Sequence, residues 1–284
     1  MKLIRFGQVG EEKPGIELNG KYFDCSAHFE DWNGDFFKND GWNKLRLLIA
    51  DPNQALPEVP EEARLGSPIA RPNMIICVGL NYSDHAKESG MELPKEPIVF
   101  MKATNTMVGP NDTVTLPKGH SKVDWEVELG VVIGKDALYL ENEAAVEAHI
   151  AGYCAVHDIS ERAFQLERGG QWVKGKSCPS FNPVGPYLVQ KENIADVSNL
   201  NLQLKVNGEL MQNGNTKNMI FSPTYIVWYL SQFMKLEAGD LISTGTPPGV
   251  GMGQNPPQYL KDGDVVELSV EGLGSQKQTF VSYQ

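Results

Sequence analysis

The sequence predicts an α+β fold in which β structure dominates. Short runs of β-branched and aromatic residues, bounded by Gly, Pro, Asn and Asp, recur from end to end. Helical periodicity is confined to a few segments, and strands and helices do not alternate as a doubly wound parallel sheet demands.

Taken in order, residues 2–6, 15–18 and 21–25 read as strands, and 42–50 as a helix after a patch rich in Asp, Asn, Gly and Trp. The prolines at Pro57, Pro60, Pro68 and Pro72 resist both helix and ladder. They mark a boundary between a small N-terminal domain over 1–66 and a larger domain over 67–284, a division that 284 residues suit. Residues 74–80 form a continuous apolar run, as a buried strand would, and 98–102, 124–133, 151–159, 202–206 and 265–270 are further strands. Asn207-Gly208 separates 202–206 from 209–212 as a hairpin turn, because both residues tolerate positive φ. Helices are expected over 141–149 and 222–234, the second opened by Ser222 as cap and Pro223 as first helical residue.

With 41% hydrophobic residues the chain has ample core, which excludes disorder. Lys plus Arg total 25 against 36 Asp plus Glu, a formal charge of −11, which argues against nucleic-acid binding. An anionic substrate must then be caught by a few local cations. The longest apolar stretches, 75–80 and 225–230, fall far short of the ~18–20 residues of a membrane span. The opening residues lack a signal-peptide core, so a cytoplasmic chain is expected. Cys25, Cys77, Cys154 and Cys178 are scattered without a Cys-x-x-Cys pair and read as reduced, buried thiols. Gly249-Val250-Gly251-Met252-Gly253 is followed by Gln254-Asn255-Pro256-Pro257, which cannot open a phosphate-binding helix. There is neither a Walker-type loop nor a Gly-x-Ser-x-Gly elbow.

The sharpest chemical feature is Val123-Asp124-Trp125-Glu126-Val127-Glu128-Leu129. Alternation places Asp124, Glu126 and Glu128 on one face, with Trp125, Val127 and Leu129 opposite. Such a face is either solvated or, given the buried character of the Val131-Val132-Ile133 continuation, neutralised by a hard cation on which two Glu side chains converge. Asp158, at the end of the apolar run 151–159, is the expected third ligand. All-oxygen ligation points to Mg2+, with Mn2+ or Ca2+ as alternatives, and away from zinc. His157 beside it reads as structural. After the run 74–80, Asn81 can cap a short helix that places His85 and Glu88 on one face. A carboxylate beside an imidazole suits a base that takes a proton from water, although an incidental surface ion pair has the same spacing. Lys102 and Lys176 are either solvated or positioned to neutralise a substrate carboxylate or a developing enolate.

Together these stretches resemble the fumarylacetoacetate hydrolase family. The matching segments are Gly79-Leu80-Asn81-Tyr82 with His85 and Glu88, Phe100-Met101-Lys102, the acidic strand, and His157-Asp158-Ile159-Ser160-Glu161-Arg162. Trp172 to Lys176, Gln212 to Thr216 and Ser243 to Gly251 complete them. The resemblance implies a β-roll catalytic core paired as a homodimer or dimer of dimers, with the small domain at the N-terminus. It implies a divalent cation on Glu126, Glu128 and Asp158, and His85–Glu88 as a water-activating dyad. Lys102, Arg162, Gln165, Gln212 and Thr246 fall where members of the family hold substrate or organise the metal's surroundings. Two departures stand out. Ser160-Glu161-Arg162-Ala163 replaces a common Ser-Ala-Arg-Asp, losing one carboxylate near the site, and Phe100-Met101-Lys102-Ala103-Thr104 replaces Phe-Leu-Lys-Pro-Ser.

The implied reaction is hydrolysis of the C3–C4 bond of a 2,4-diketo acid. Water activated by His85–Glu88 attacks C4, and Lys176 meets the charge of the pyruvate enolate. The layout is most like the bacterial branch acting on 2,4-diketo-3-deoxy acids derived from L-rhamnonate or L-fuconate, which gives pyruvate and lactate. Ureidoglycolate lyase, oxaloacetate decarboxylase and acylpyruvase are the alternatives within the family. A non-catalytic metabolite-binding protein is the alternative outside enzymology, and a complete dyad argues against it.

Overall fold

The computed structural model describes residues 1–84 and 92–284. The strands in chain order are β1 (Lys2–Phe6), β2 (Lys13–Leu18), β3 (Lys21–Asp24), β4 (Glu58–Val59), β5 (Ile75–Gly79), β6 (Ile98–Lys102) and β7 (Met107–Val108). They continue as β8 (Val114–Leu116), β9 (Val123–Asp124), β10 (Val127–Ile133), β11 (Ile150–His157), β12 (Ser160–Glu161) and β13 (Asn182–Pro183). The last six are β14 (Leu188–Gln190), β15 (Asn201–Val206), β16 (Glu209–Asn215), β17 (Leu241–Ser243), β18 (Val265–Val270) and β19 (Gly274–Ser282). The helices are α1 (Gly34–Lys38), α2 (Gly41–Ala50), α3 (Arg162–Leu166), α4 (Val173–Lys176) and α5 (Pro223–Ser231). No helix among the described residues is long and apolar enough to cross a membrane.

A ten-stranded sheet runs β4-β3-β2-β1-β14-β11-β10-β17-β5-β6, and a five-stranded sheet runs β16-β15-β18-β19-β8. Between them lies the main core. Val127, Leu129 and Val131 of β10 meet Leu202, Leu204, Val266, Leu268 and Phe280 of the smaller sheet, and α5 closes one side with Ile226, Val227 and Leu230. On the other face of the large sheet, Val132, Val156 and Leu241 pack against Leu3, Ile16, Trp32, Phe36 and Leu45 from the N-terminal segment. β10 is therefore covered on both faces, and every one of its residues is buried. That covering is what makes carboxylates at its leading end chemically conspicuous.

Most expected elements appear, with β6 and β18 matching to the residue. Asn207 and Gly208 form the β15–β16 turn with φ of 50° and 85°, and Ser222 caps α5 by accepting from the Tyr225 N–H. Two readings are corrected. The strand expected over 124–133 breaks at Trp125 and Glu126, where Trp125 N–H turns back onto Asp124 Oδ1. The segment Glu143–His149 is a 3-10 helix rather than an α-helix. The buried Asn81 amide donates to Phe221 O and Thr244 O and accepts from Phe221 N, joining two loops beside the site; the helix it is expected to cap falls largely outside the described residues. The four cysteines are unpaired and buried, as read, and burial pushes the Cys25 and Cys154 thiols up to about 12. The Pro57–Pro72 stretch leads from β4 into β5, yet β1 pairs with β14, so both segments share one sheet. We retain 1–66 and 67–284 as a proposed division of the chain.

Candidate active site

The site is assembled where β10 and β11 begin and end. Their antiparallel register sets Val127 opposite His157, so the two residues just outside the ladder, Glu126 and Asp158, are neighbours and Asp158 N–H donates to Glu126 O at 3.0 Å. Glu128 lies two residues along the same strand face. One carboxylate oxygen from each of Glu126, Glu128 and Asp158 lies within 4.8 Å of the others, and all three side chains are buried.

Cations crowd round this triad. Lys176 Nζ bridges Glu126 Oε2 at 2.6 Å and Asp158 Oδ2 at 2.7 Å. Lys102 Nζ donates to Asp158 Oδ1 at 2.6 Å and to Ile159 O at 3.0 Å. Arg162 forks from Asp124 Oδ2 at 2.8 Å to Glu126 Oε1 at 2.7 Å, with its remaining nitrogen on Gln165 Oε1 at 3.1 Å. Burial works against a charged Asp158, but the two lysines hold its carboxyl down at about 2. Burial likewise works against the charge on Lys176, and Asp158 and Glu126 outweigh it, so its pKa lies above the ordinary value. Glu128 is the exception. Among the described residues its hydrogen-bond partner is the Gly245 N–H at 2.8 Å. Burial, Asp158 and Glu126 together drive its carboxyl well above the usual range. Four buried carboxylates, Asp124, Glu126, Glu128 and Asp158, face three buried cations, Lys102, Arg162 and Lys176. Among the described residues the donor set fits a hard divalent ion: all-oxygen, buried and one positive charge short.

Other side chains hold the triad in place. Gln212 Oε1 accepts from Val127 N at 3.0 Å, while its amide donates to Thr246 Oγ1 and Pro247 O, both at 2.8 Å. The Thr246 hydroxyl donates to Val127 O at 2.9 Å. Both residues thus clamp the backbone between the two glutamates. The glycine run binds a carboxylate after all, but one of the chain's own: Gly251 N and Met252 N donate to Asp124 at 2.6 and 3.0 Å. His157 is neutral, its pKa lowered to about 3 by burial despite a hydrogen bond to Gln278, in keeping with the structural role read for it.

Glu126, Glu128, Arg162, Gln165 and Thr246 line a cavity of about 280 Å³ whose other walls are Val78, Gly79, Leu80, Phe100, Leu166, Trp172 and Met252. Leu80 on its rim adopts φ 53°, a left-handed conformation that a leucine takes only when its surroundings impose it. His85 and Glu88 lie outside the described residues. Sequence reading gave no role to Asp124 beyond its strand face, none to Glu161 and none to Trp172. Glu161 accepts from Ser121 N, Lys122 N and Phe164 N, so this buried carboxylate anchors the start of α3. A signal for Trp172 existed in Gly79, a glycine inside an apolar strand, which marks close approach of another group.

Three comparisons place this geometry among known proteins. Residues 74–281 match the family described as fumarylacetoacetate (FAA) hydrolase C-terminal. A Burkholderia multivorans chain labelled only as a hydrolase is 50% identical over 280 residues, 98% of each chain. A maleylpyruvate hydrolase from Sphingobium sp. SYK-6, solved with manganese(II) and pyruvate, superimposes with a TM-score of 0.83 at 25% identity over 100% of both chains. A 5-carboxymethyl-2-hydroxymuconate delta-isomerase from Mycobacterium smegmatis does so with 0.78 at 29% identity, again over 100% of both.

Proposed function

The chain belongs to the fumarylacetoacetate hydrolase family, and on that premise we propose that it is a divalent-metal-dependent hydrolase cleaving the C3–C4 bond of a 2,4-diketo acid. The products are pyruvate and a carboxylic acid. The observation that carries the reading is the buried triad Glu126, Glu128 and Asp158, in which Glu128, among the described residues, makes no ion pair and is held by the Gly245 N–H. Bound there, Mg2+ or Mn2+ supplies Lewis-acid polarisation of the 2-oxo acid.

The remaining chemistry falls to side chains. Water adds to C4 and gives up a proton, a task we assign to His85 aligned by Glu88. The C3–C4 bond breaks with its electron pair moving to C3, and C4 departs as a carboxylic acid. Lys176 stays an ammonium because Asp158 and Glu126 hold its proton. It is a fixed positive charge beside the forming enolate rather than a base. Protonation at C3 then yields pyruvate. Lys102 acts through Asp158, fixing its orientation from behind. The working unit we propose is a homodimer or dimer of dimers.

The sugar-acid tail implied by the sequence resemblance remains one arm of the test. Acylpyruvates, 2,4-diketo-3-deoxy-L-rhamnonate and -fuconate, oxaloacetate and ureidoglycolate are assayed in parallel for turnover, with and without a chelator. Chelator-sensitive pyruvate release from a diketo acid is expected. Failure of every diketo acid, or turnover indifferent to chelation, overturns the proposal.

A further inference from the structure

We propose that Trp172, seated on Gly79, selects the acyl tail of the substrate, and that the tail it accepts is alkyl or aryl rather than polyhydroxylated. This deepens the hydrolase reading and rests on it for the direction in which the tail runs, away from the triad and into the cavity beside it. Most of the polar groups on that cavity's walls beyond the triad are already engaged. All three Arg162 nitrogens have partners in Asp124, Glu126 and Gln165. The Thr246 hydroxyl donates to Val127 O and accepts from Gln212. Among the described residues, the Gln165 amide nitrogen and the Trp172 indole N–H are the lining side-chain donors left without a partner. Away from Glu126 and Glu128 at the triad end, the rest of the wall is mainly hydrocarbon and sulfur: Val78, Leu80, Phe100, Leu166, Met252 and the Trp172 ring, whose indole N–H is its one donor. A polyol entering it would exchange water for surfaces that return few hydrogen bonds, whereas an apolar tail gains from the same transfer.

Trp172 is placed to make the selection. Its ring meets Phe100 edge-on, centroids 5.3 Å apart at 62°. A Cβ on Gly79 would come within 2.8 Å of Trp172 Cζ3, so the absent side chain is what seats the indole. Trp172 immediately precedes α4, which ends in Lys176, and Lys176 Nζ lies 4.9 Å over the Phe100 ring. One helical turn therefore carries both the tail wall and the ammonium that faces the enolate.

The test uses two 2-oxo acids with the same head and opposite tails, 2-oxooctanoate and 2-oxogluconate. Each is titrated calorimetrically into the magnesium-loaded protein. The native chain is expected to bind 2-oxooctanoate at least about tenfold more tightly, the scale a few buried methylenes supply. Trp172→Ala removes the indole and Gly79→Ala displaces it while leaving it present. Each should bring the ratio of the two affinities below about threefold, with circular dichroism showing the fold retained. A native ratio near one or favouring the polyol, a ratio that survives both substitutions, or binding of neither acid overturns the proposal. If the ratio behaves as expected while no diketo acid is hydrolysed, the hydrolase reading falls and the tail wall stands. Fastest hydrolysis of a polyhydroxylated diketo acid does the reverse.

Discussion

Glu128 is where function and stability oppose one another most directly. Without a cation, its carboxylate faces Asp158 and Glu126 in a buried site where, among the described residues, one backbone donor supports it. Glu128→Gln keeps that acceptor and removes the like-charge repulsion. The metal-free variant should melt above the native chain by about 2–4 °C. Its divalent-ion affinity should weaken by about tenfold or more, shrinking the melting increment that metal loading gives the native protein. A lower metal-free midpoint with unchanged affinity would remove Glu128 from the ligand set. Gln212 makes the contrasting case. Its amide serves Val127 N, Thr246 and Pro247, so Gln212→Ala leaves a buried N–H unpaired and should cost about 2–3 kcal/mol in denaturant melts without any ligand. A side chain acting only on substrate would leave that midpoint unmoved. The triad was legible in the sequence because carboxylates inside an apolar run need a reason. The clamping role of Gln212 was not, because it depends on which backbone group the amide happens to face.

Elements were legible to the extent that their hydrophobic pattern is local. β6 and β18 alternate or run apolar and were read to the residue. β19 escaped notice because two of its inward positions are Gln276 and Gln278. Their amides donate to Ala155 O, Gly185 O and Pro110 O, replacing the apolar residues by which a strand is recognised. The break at Trp125 and Glu126 has a similar origin, in Asp124 being held by the glycine loop from outside the strand. Glu161 shows how an element is secured by a residue to which sequence reading gave no role. Glu161 accepts three backbone N–H groups and opens α3, whose first residue is Arg162. Glu161→Ala should destabilise the protein by about 3 kcal/mol. Because Arg162 loses its footing, kcat/KM should fall as well, and Glu161→Gln, which keeps one acceptor, should recover part of both. Loss of stability with native kcat/KM would mean that Arg162 is held independently of the cap.

At the scale of the whole molecule, the proline-dense stretch was visible, but the pairing across it was not, since long-range register leaves no local trace. β1 joins β14, so the first strands extend the same sheet that carries the triad. Leu3, Ile16, Trp32, Phe36 and Leu45 share a core with Ile75, Val132, Val156 and Leu241. Arg64 reinforces the join, reaching Asp112 with two nitrogens at 2.7 and 2.6 Å and Glu12 with a third at 2.9 Å. A shared core and a shared sheet make separate unfolding costly, because losing either segment exposes the apolar face of the other. The full chain should therefore melt in one calorimetric transition, with calorimetric and van't Hoff enthalpies in agreement. Arg64→Ala should lower the midpoint without splitting that transition. A chain beginning at Ser67 would bare the β14 edge and the face around Val132 and Val156, and should be recovered aggregated or binding a hydrophobic dye. Two resolved transitions in the full chain, or a soluble and active truncated chain, would show instead that the N-terminal segment is an independent domain resting on a self-sufficient roll.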